Sequence, residues 1–227
     1  MGYVIIFFVL LGLIVGPGIW VKRVLARYSE PKDRYSGTGA ELARHLLDVN
    51  GLQSVGVEVT EMGDHYDPRD KTVRLTEDKY NGRSLTAITV AAHEVGHAVQ
   101  DRDKYTPLRL RGILVTAAQR FQKIGAAVLI LAPLVSIVSR VPMVGVIMLL
   151  GGFLTLASSA LVHLVTLPTE FDASFGRALP MLDEHGILIE VDRPHARKLL
   201  KAAALTYVSA SLMSLVSIAR WFAILRT

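Results

Sequence analysis

The chain has 227 residues, 51% of them hydrophobic, with a net charge of +5 and no cysteine. A mean hydropathy of +0.39 is too apolar for an ordinary soluble domain. The lack of cysteine excludes disulfides and thiolate-bound metal, and no basic-aromatic platform or nucleic-acid module accompanies the positive charge, so no nucleic-acid partner is expected.

Tyr3 to Val21 carries no charge and is about long enough to span a bilayer. It has neither a basic n-region nor a small-x-small cleavage site, so residues 1–21 read as an uncleaved transmembrane anchor. Gly16-Pro17-Gly18 is expected to kink or end that helix near its lower end. Lys22, Arg23 and Arg27 follow at once, then the polar linker Glu30-Pro31-Lys32-Asp33. Thr38 can cap a helix over Gly39 to Val49 with an apolar face of Ala40, Ala43, Leu46 and Leu47, stopped by Asn50-Gly51. His45, beside Arg44 on this helix, reads as solvated surface. Val55 to Val59 alternates like a strand, Asp67-Pro68-Arg69-Asp70 is turn chemistry, and Lys71 to Leu75 is a second short strand. Asp64 and His65 are able to bind metal, but a loop histidine without a spaced partner is usually structural.

Asn81-Gly82-Arg83-Ser84 then supplies a turn and a cap, and Leu85 to Gln100 runs without proline. On this helix His93 and His97 stand four residues apart, so both imidazoles project from one face. Two imidazole nitrogens on one face make half of a tetrahedral zinc site. Glu94, beside the first histidine, can take a proton from a zinc-activated water and pass it to a leaving amine. This is the H-E-x-x-H pattern of zinc peptidases, and helix, strand, strand and motif helix make residues 22–112 a small zincin-like α/β module. Lys71 to Leu75 is expected to be its edge strand, which a substrate extends by main-chain pairing.

Residues 113–167 read as a transmembrane hairpin: Phe121 to Ser139 and Met143 to Leu167 are apolar, joined by Arg140-Val141-Pro142. Gly145, Gly151, Gly152, Ala157 and Ser158 would permit close helix packing. His163, near the end of that run, reads as an interfacial polar group, with a ligand role left open. Residues 168–203 form a juxtamembrane segment, and 204–227 a C-terminal membrane or interfacial helix carrying Arg220 and Trp221. His185 and His195 read as surface. The expected fold is a mainly α membrane protein, with about four hydrophobic helices and the zincin-like module. Of the 25 basic residues, 17 lie in 22–123 and 5 in 168–203, which puts both segments on the cytoplasmic side of a plasma membrane.

A catalytic zinc usually takes three protein ligands. Asp101 lies one turn past His97 on the same helix, whereas Glu170 emerges on the membrane side where the motif helix must sit, so Glu170 is the better third ligand. The combination of His93-Glu94-Val95-Gly96-His97, a hairpin, then Glu170-Phe171-Asp172-Ala173-Ser174 resembles the bacterial membrane family described as "putative neutral zinc metallopeptidases", the YugP-like family. Asp64-His65-Tyr66-Asp67-Pro68-Arg69 and Tyr80-Asn81-Gly82-Arg83-Ser84 match its wording too, and the likeness covers nearly the whole chain. A more distant similarity is to HtpX-like membrane proteases, in which an Asp at the place of Ser174 braces a zinc histidine; here that support would come from Asp172, Ser174 or elsewhere. Resemblance and helical spacing from Glu170 also make Arg177 a candidate for stabilising the oxyanion, against a juxtamembrane arginine on lipid phosphate.

The leading reading is a membrane-anchored zinc endopeptidase acting on a peptide or protein substrate; membrane proteins are candidate substrates, and the resemblance does not name the natural one. Two alternatives stay open. One is an intramembrane site-2-type protease, with Asp183 in the Pro180 to Gly186 segment as a ligand. The other is a zinc-stabilised membrane scaffold without hydrolytic chemistry, against which the placement of Glu94 argues.

Overall fold

The computed structural model describes residues 2–141, 143–151, 162 and 165–206. They fall into two compact units, one of residues 16–109 and 167–206, the other of the described parts of 1–15 and 110–166. His163, Gly152, Ala157, Ser158, Pro142 and the C-terminal run from 207 lie outside the described residues.

The polar unit begins in the second half of helix α1 (Gly2–Arg27). Pro17 lies inside this helix, which neither ends there nor near it. Val21 and Val24 are buried with Leu85, Ala196, Leu199 and Ala202. That burial offsets the backbone hydrogen bond a helical proline forfeits.

Helix α2 (Gly39–Val49) has the expected bounds, because its start is decided locally. The Thr38 hydroxyl accepts from the Glu41 backbone N–H, and Glu41 accepts from the Thr38 N–H, closing a capping box. Gly51, at φ 74°, provides the left-handed stop. The buried face is Leu42, Ala43, Leu46 and Leu47. Leu42 takes the place expected for Ala40, since 42 stands one turn before 46.

Strands β1 (Gly56–Val59), β2 (His65–Asp67) and β3 (Thr72–Leu75) form a sheet in the order β1-β3-β2. β1 runs parallel to β3 and β2 antiparallel to it. β3 is therefore the central strand and not the expected edge. The edges are β1 and β2, and the three residues of β2, His65, Tyr66 and Asp67, are too few for an alternating pattern to be seen.

After the short α3 (Glu77–Tyr80), the Ser84 hydroxyl accepts from the Ala87 N–H at 3.2 Å and opens α4 (Leu85–Arg102). Every residue from Leu85 to Gln100 is buried. The helix is covered by α2, by β2 and β3, and by the returning chain. That chain comprises α6 (Leu167–Phe171), a π-helical segment (Asp172–Ala178), α7 (Leu179–Glu184), a 3-10 turn (Glu190–Asp192) and α8 (Arg193–Ala204). Leu46, Leu47, Leu182, Leu199 and Leu200 are fully enclosed in this unit, each burial contributing about 1.5–3 kcal/mol. Arg34 and the Tyr35 hydroxyl both donate to Asp192, tying the polar linker to the start of α8.

The second unit contains most of α5 (Thr106–Ser139). This helix starts well before the expected Phe121, with Pro107 in its first turn, where a missing N–H costs nothing, and runs on through Arg109, Arg111, Arg120 and Lys123. Ile113, Ile124, Ile130 and Ile137 are exposed along it. Arg140, at φ 55°, makes the turn, and residues 143–151 are helical again. A Cβ on Gly145 would stand 2.8 Å from the Ser136 Cβ, so Gly145 does allow the close approach expected of it. A Cβ on Gly151 would meet nothing within 4 Å.

About four hydrophobic helices are not found among the described residues. The described residues hold eight α-helices of stated bounds, the helical run 143–151 and the small sheet, and one stretch, Thr106–Val138 within α5, is long and apolar enough to cross a membrane. Counting apolar runs overstates the number because apolar residues serve cores as well as bilayers. The last turns of α1 spend Val21 and Val24 on the polar unit, and the run from Ala204 begins as the buried face of α8, with Ala202 and Ala204 both inaccessible.

Candidate metal centre

A helix buried all round is normally apolar, so the polar side chains enclosed on α4 require partners. Four of them are His93, Glu94, His97 and Gln100, all 6% exposed or less. The two imidazoles lie on one face, their ring centroids 4.8 Å apart and their planes near perpendicular. Opposite them, Glu170 enters from α6 with a fully buried side chain. Its Oε2 is 3.4 Å from Nε2 of His93 and 3.3 Å from Nε2 of His97. Zinc bonds of about 2.0–2.1 Å at tetrahedral angles separate neighbouring donors by about 3.3–3.4 Å, so the donor set fits zinc.

The protonation of both rings is fixed from behind. Ser174 donates its single hydroxyl proton to the Leu200 carbonyl at 3.0 Å. It must therefore accept at its 3.0 Å contact with His93 Nδ1, which places the ring proton there and leaves the Nε2 lone pair facing Glu170. Gln100 spends both amide protons, on the Thr169 carbonyl and on Asp172 Oδ2, each at 2.8 Å. Its Oε1 then accepts from His97 Nδ1 at 2.9 Å, and again Nε2 is left as the donor atom. The support expected from Asp172 or Ser174 is thus present from both, Ser174 directly and Asp172 through Gln100.

Gly96 allows the two halves to meet. A Cβ there would lie 2.6 Å from the Ala173 carbonyl oxygen, closer than any backbone contact tolerates, so an alanine would push the Glu170 segment off α4. The π-helical segment begins two residues past Glu170, and such wide turns recur at functional sites. Each holds more residues than an α turn, so seven residues no longer close two turns between Glu170 and Arg177. Arg177 donates to Asp103 and, at 3.4 Å, to Asp172 Oδ2. Hydrogen bonding from Arg102, opposed by burial, and then from Arg177 holds the Asp103 carboxyl below the usual carboxylate range.

The other candidates lie elsewhere. Asp101 accepts from the Tyr66 hydroxyl at 2.7 Å and from Lys71, pinning β2 and β3 to the end of α4. Asp183 is paired with Arg193 through two contacts of 2.8 and 3.0 Å. Asp64 accepts from the Thr76 N–H and hydroxyl, and His65 Nδ1 lies 2.8 Å from the Gly63 carbonyl, so both are structural. His45, His185 and His195 are exposed. Gln100 and Gly96 were missed by sequence reasoning. The position of Gln100 three residues past His97, on the same face, is the signal that could have flagged it.

An H-E-x-x-H helix facing a buried glutamate is an arrangement of the zinc-peptidase class. The family model described as "Putative neutral zinc metallopeptidase" matches residues 3–226. The chain belongs to that family. It is 39% identical over 214 residues to the "Putative membrane protease YugP" of Bacillus subtilis (strain 168), covering 93% of this chain and 91% of that protein. No solved structure matches. The family's cofactor is zinc, and His93, His97 and Glu170 are the cluster that can hold it, their donor atoms all within 4.8 Å of one another.

Proposed function

We propose that the protein is a membrane-anchored zinc endopeptidase in which His93, His97 and Glu170 hold the metal and Glu94 is the general base. The observation that carries this reading is the pair of imidazoles whose Nδ1 protons are committed to Ser174 and Gln100, leaving both Nε2 atoms turned on one buried carboxylate. Zinc supplies the Lewis acidity that polarises a scissile carbonyl and acidifies a water. The Glu94 carboxylate takes the proton of the attacking water and returns it to the departing nitrogen. Its place next to His93, 6% exposed, suits a base that must act in a water-poor pocket. The outer edge of β2, the open strand in contact with α4, supports main-chain pairing with an extended substrate. Chelation of the purified full-length protein is expected to abolish hydrolysis of a casein-like substrate, and one equivalent of zinc to restore it. Activity that survives complete removal of the metal would sink the reading.

The burial of α4 inside the polar unit and the Asp183–Arg193 pair favour this reading over an intramembrane site. Anchoring rests on the exposed apolar surface of α5, and a cytoplasmic catalytic face on the 22 basic residues in 22–123 and 168–203. Single cysteines at Ser54 and Arg140 are expected to react oppositely with an impermeant thiol reagent in intact cells, Arg140→Cys labelled and Ser54→Cys not. Labelling at 54 alone would reverse the orientation.

A further inference from the structure

Gln100 is fully buried and touches both halves of the site. Its carbonyl oxygen faces His97 Nδ1, and its amide nitrogen donates to the Thr169 carbonyl and to Asp172 Oδ2. Thr169 precedes Glu170 and Asp172 follows it by two, so one amide clips the glutamate-bearing segment to α4 a single turn past His97. The amide could be inserted either way round. Reversed, it would present N–H groups to His97 and drive the ring proton onto Nε2, where it would occupy the lone pair that metal needs. Reversal would also set the Gln100 oxygen against a carbonyl and a carboxylate, which is the costlier arrangement. Asp172 and the Thr169 carbonyl together therefore give the amide its polarity, and Asp172 is the charged one of the two. Asp172 is in turn held by Arg177, and Arg177 by Asp103, itself bonded to Arg102 at 2.9 Å.

We propose that Asp172, held by Arg177, acts on the metal centre through Gln100, as a relay that sets which nitrogen of His97 is offered to zinc. The proposal rests on the zinc-site reading above. It makes Arg177 a positioning residue: its guanidinium is engaged with two carboxylates, an arrangement that favours holding Asp172 over stabilising charge on a reacting carbonyl.

The test is zinc affinity of the full-length protein by chelator competition, with the visible spectrum of the cobalt-substituted protein as a second readout. Gln100→Glu sets a carboxylate against Asp172 and is expected to weaken zinc binding by about 10–100-fold, the usual cost of losing support behind a ligating histidine. Adding Asp172→Asn to it moves the charge from 172 to 100 and restores a complementary pair, so most of the affinity and the unaltered cobalt spectrum should return. Arg177→Gln should also weaken zinc binding, with Arg177→Lys recovering part of it. A double variant no better than its worse parent would overturn the relay, because independent structural damage adds and does not cancel. Unchanged zinc affinity in Arg177→Gln, with kcat alone reduced, would overturn the positioning role and return Arg177 to the oxyanion. Failure of the unaltered protein to bind zinc would instead overturn the zinc-site reading, and the relay with it.

Discussion

Glu94→Gln is expected to keep one zinc per chain and to lose peptide hydrolysis by about 10²–10⁴-fold, the range set by removal of a general base. The amide has the shape of the carboxylate but cannot accept the proton of an attacking water. Retention of metal follows from the geometry, since the donor cluster is made by His93, His97 and Glu170 without residue 94. The substitution also keeps the volume of a side chain only 6% exposed, so α4 has no cavity to collapse around. Metal analysis and casein turnover on the same preparation check both halves. Full activity would remove the general-base assignment, and loss of zinc would make Glu94 a ligand.

Glu170→Ala should lose zinc, while Asp101→Ala and Asp183→Ala keep it. Zinc binding by a complete protein site is worth about 10–16 kcal/mol, so one donor in three accounts for about 3–5 kcal/mol, a loss in affinity on the order of 10²–10⁴-fold. The aspartates already serve other partners: Asp101 holds Tyr66 and Lys71, and Asp183 holds Arg193. Their loss should show in stability, with metal content after dialysis against a weak chelator unchanged. An Asp183→Ala protein that loses zinc while Glu170→Ala retains it would move the chain to the intramembrane class.

What was legible in the sequence was governed by short-range chemistry. Thr38, Glu41 and Asn50-Gly51 bound α2, and the spacing of His93 and His97 puts both imidazoles on one side of α4. The pairing of Glu170 with that helix across 73 residues was also readable, from the expectation that two apolar runs in succession bring the chain back to the side it left. Long-range geometry was not readable. Neither the contact of Ser174 with Leu200 nor the closeness of Gly96 to Ala173 leaves a local pattern. The π-helical turn changes the phase between Glu170 and Arg177 without announcing itself in composition. Hydrophobic runs misled on the number of membrane helices, because α8 and the end of α1 bury the same residue types in the polar unit.

The separation of the donors along the chain also sets a timetable. Ribosomes add about 5–20 residues per second, so roughly 4–15 s separates the appearance of His97 from that of Glu170, with Leu200, the carbonyl that orients Ser174, later still. Throughout that interval the growing polypeptide holds Glu94 and two imidazoles without the buried carboxylate that faces them in the folded chain. Were the proposed reagents contiguous, they would come together as soon as they emerged from the ribosome; here the site waits for the segment that carries Glu170 and Ser174.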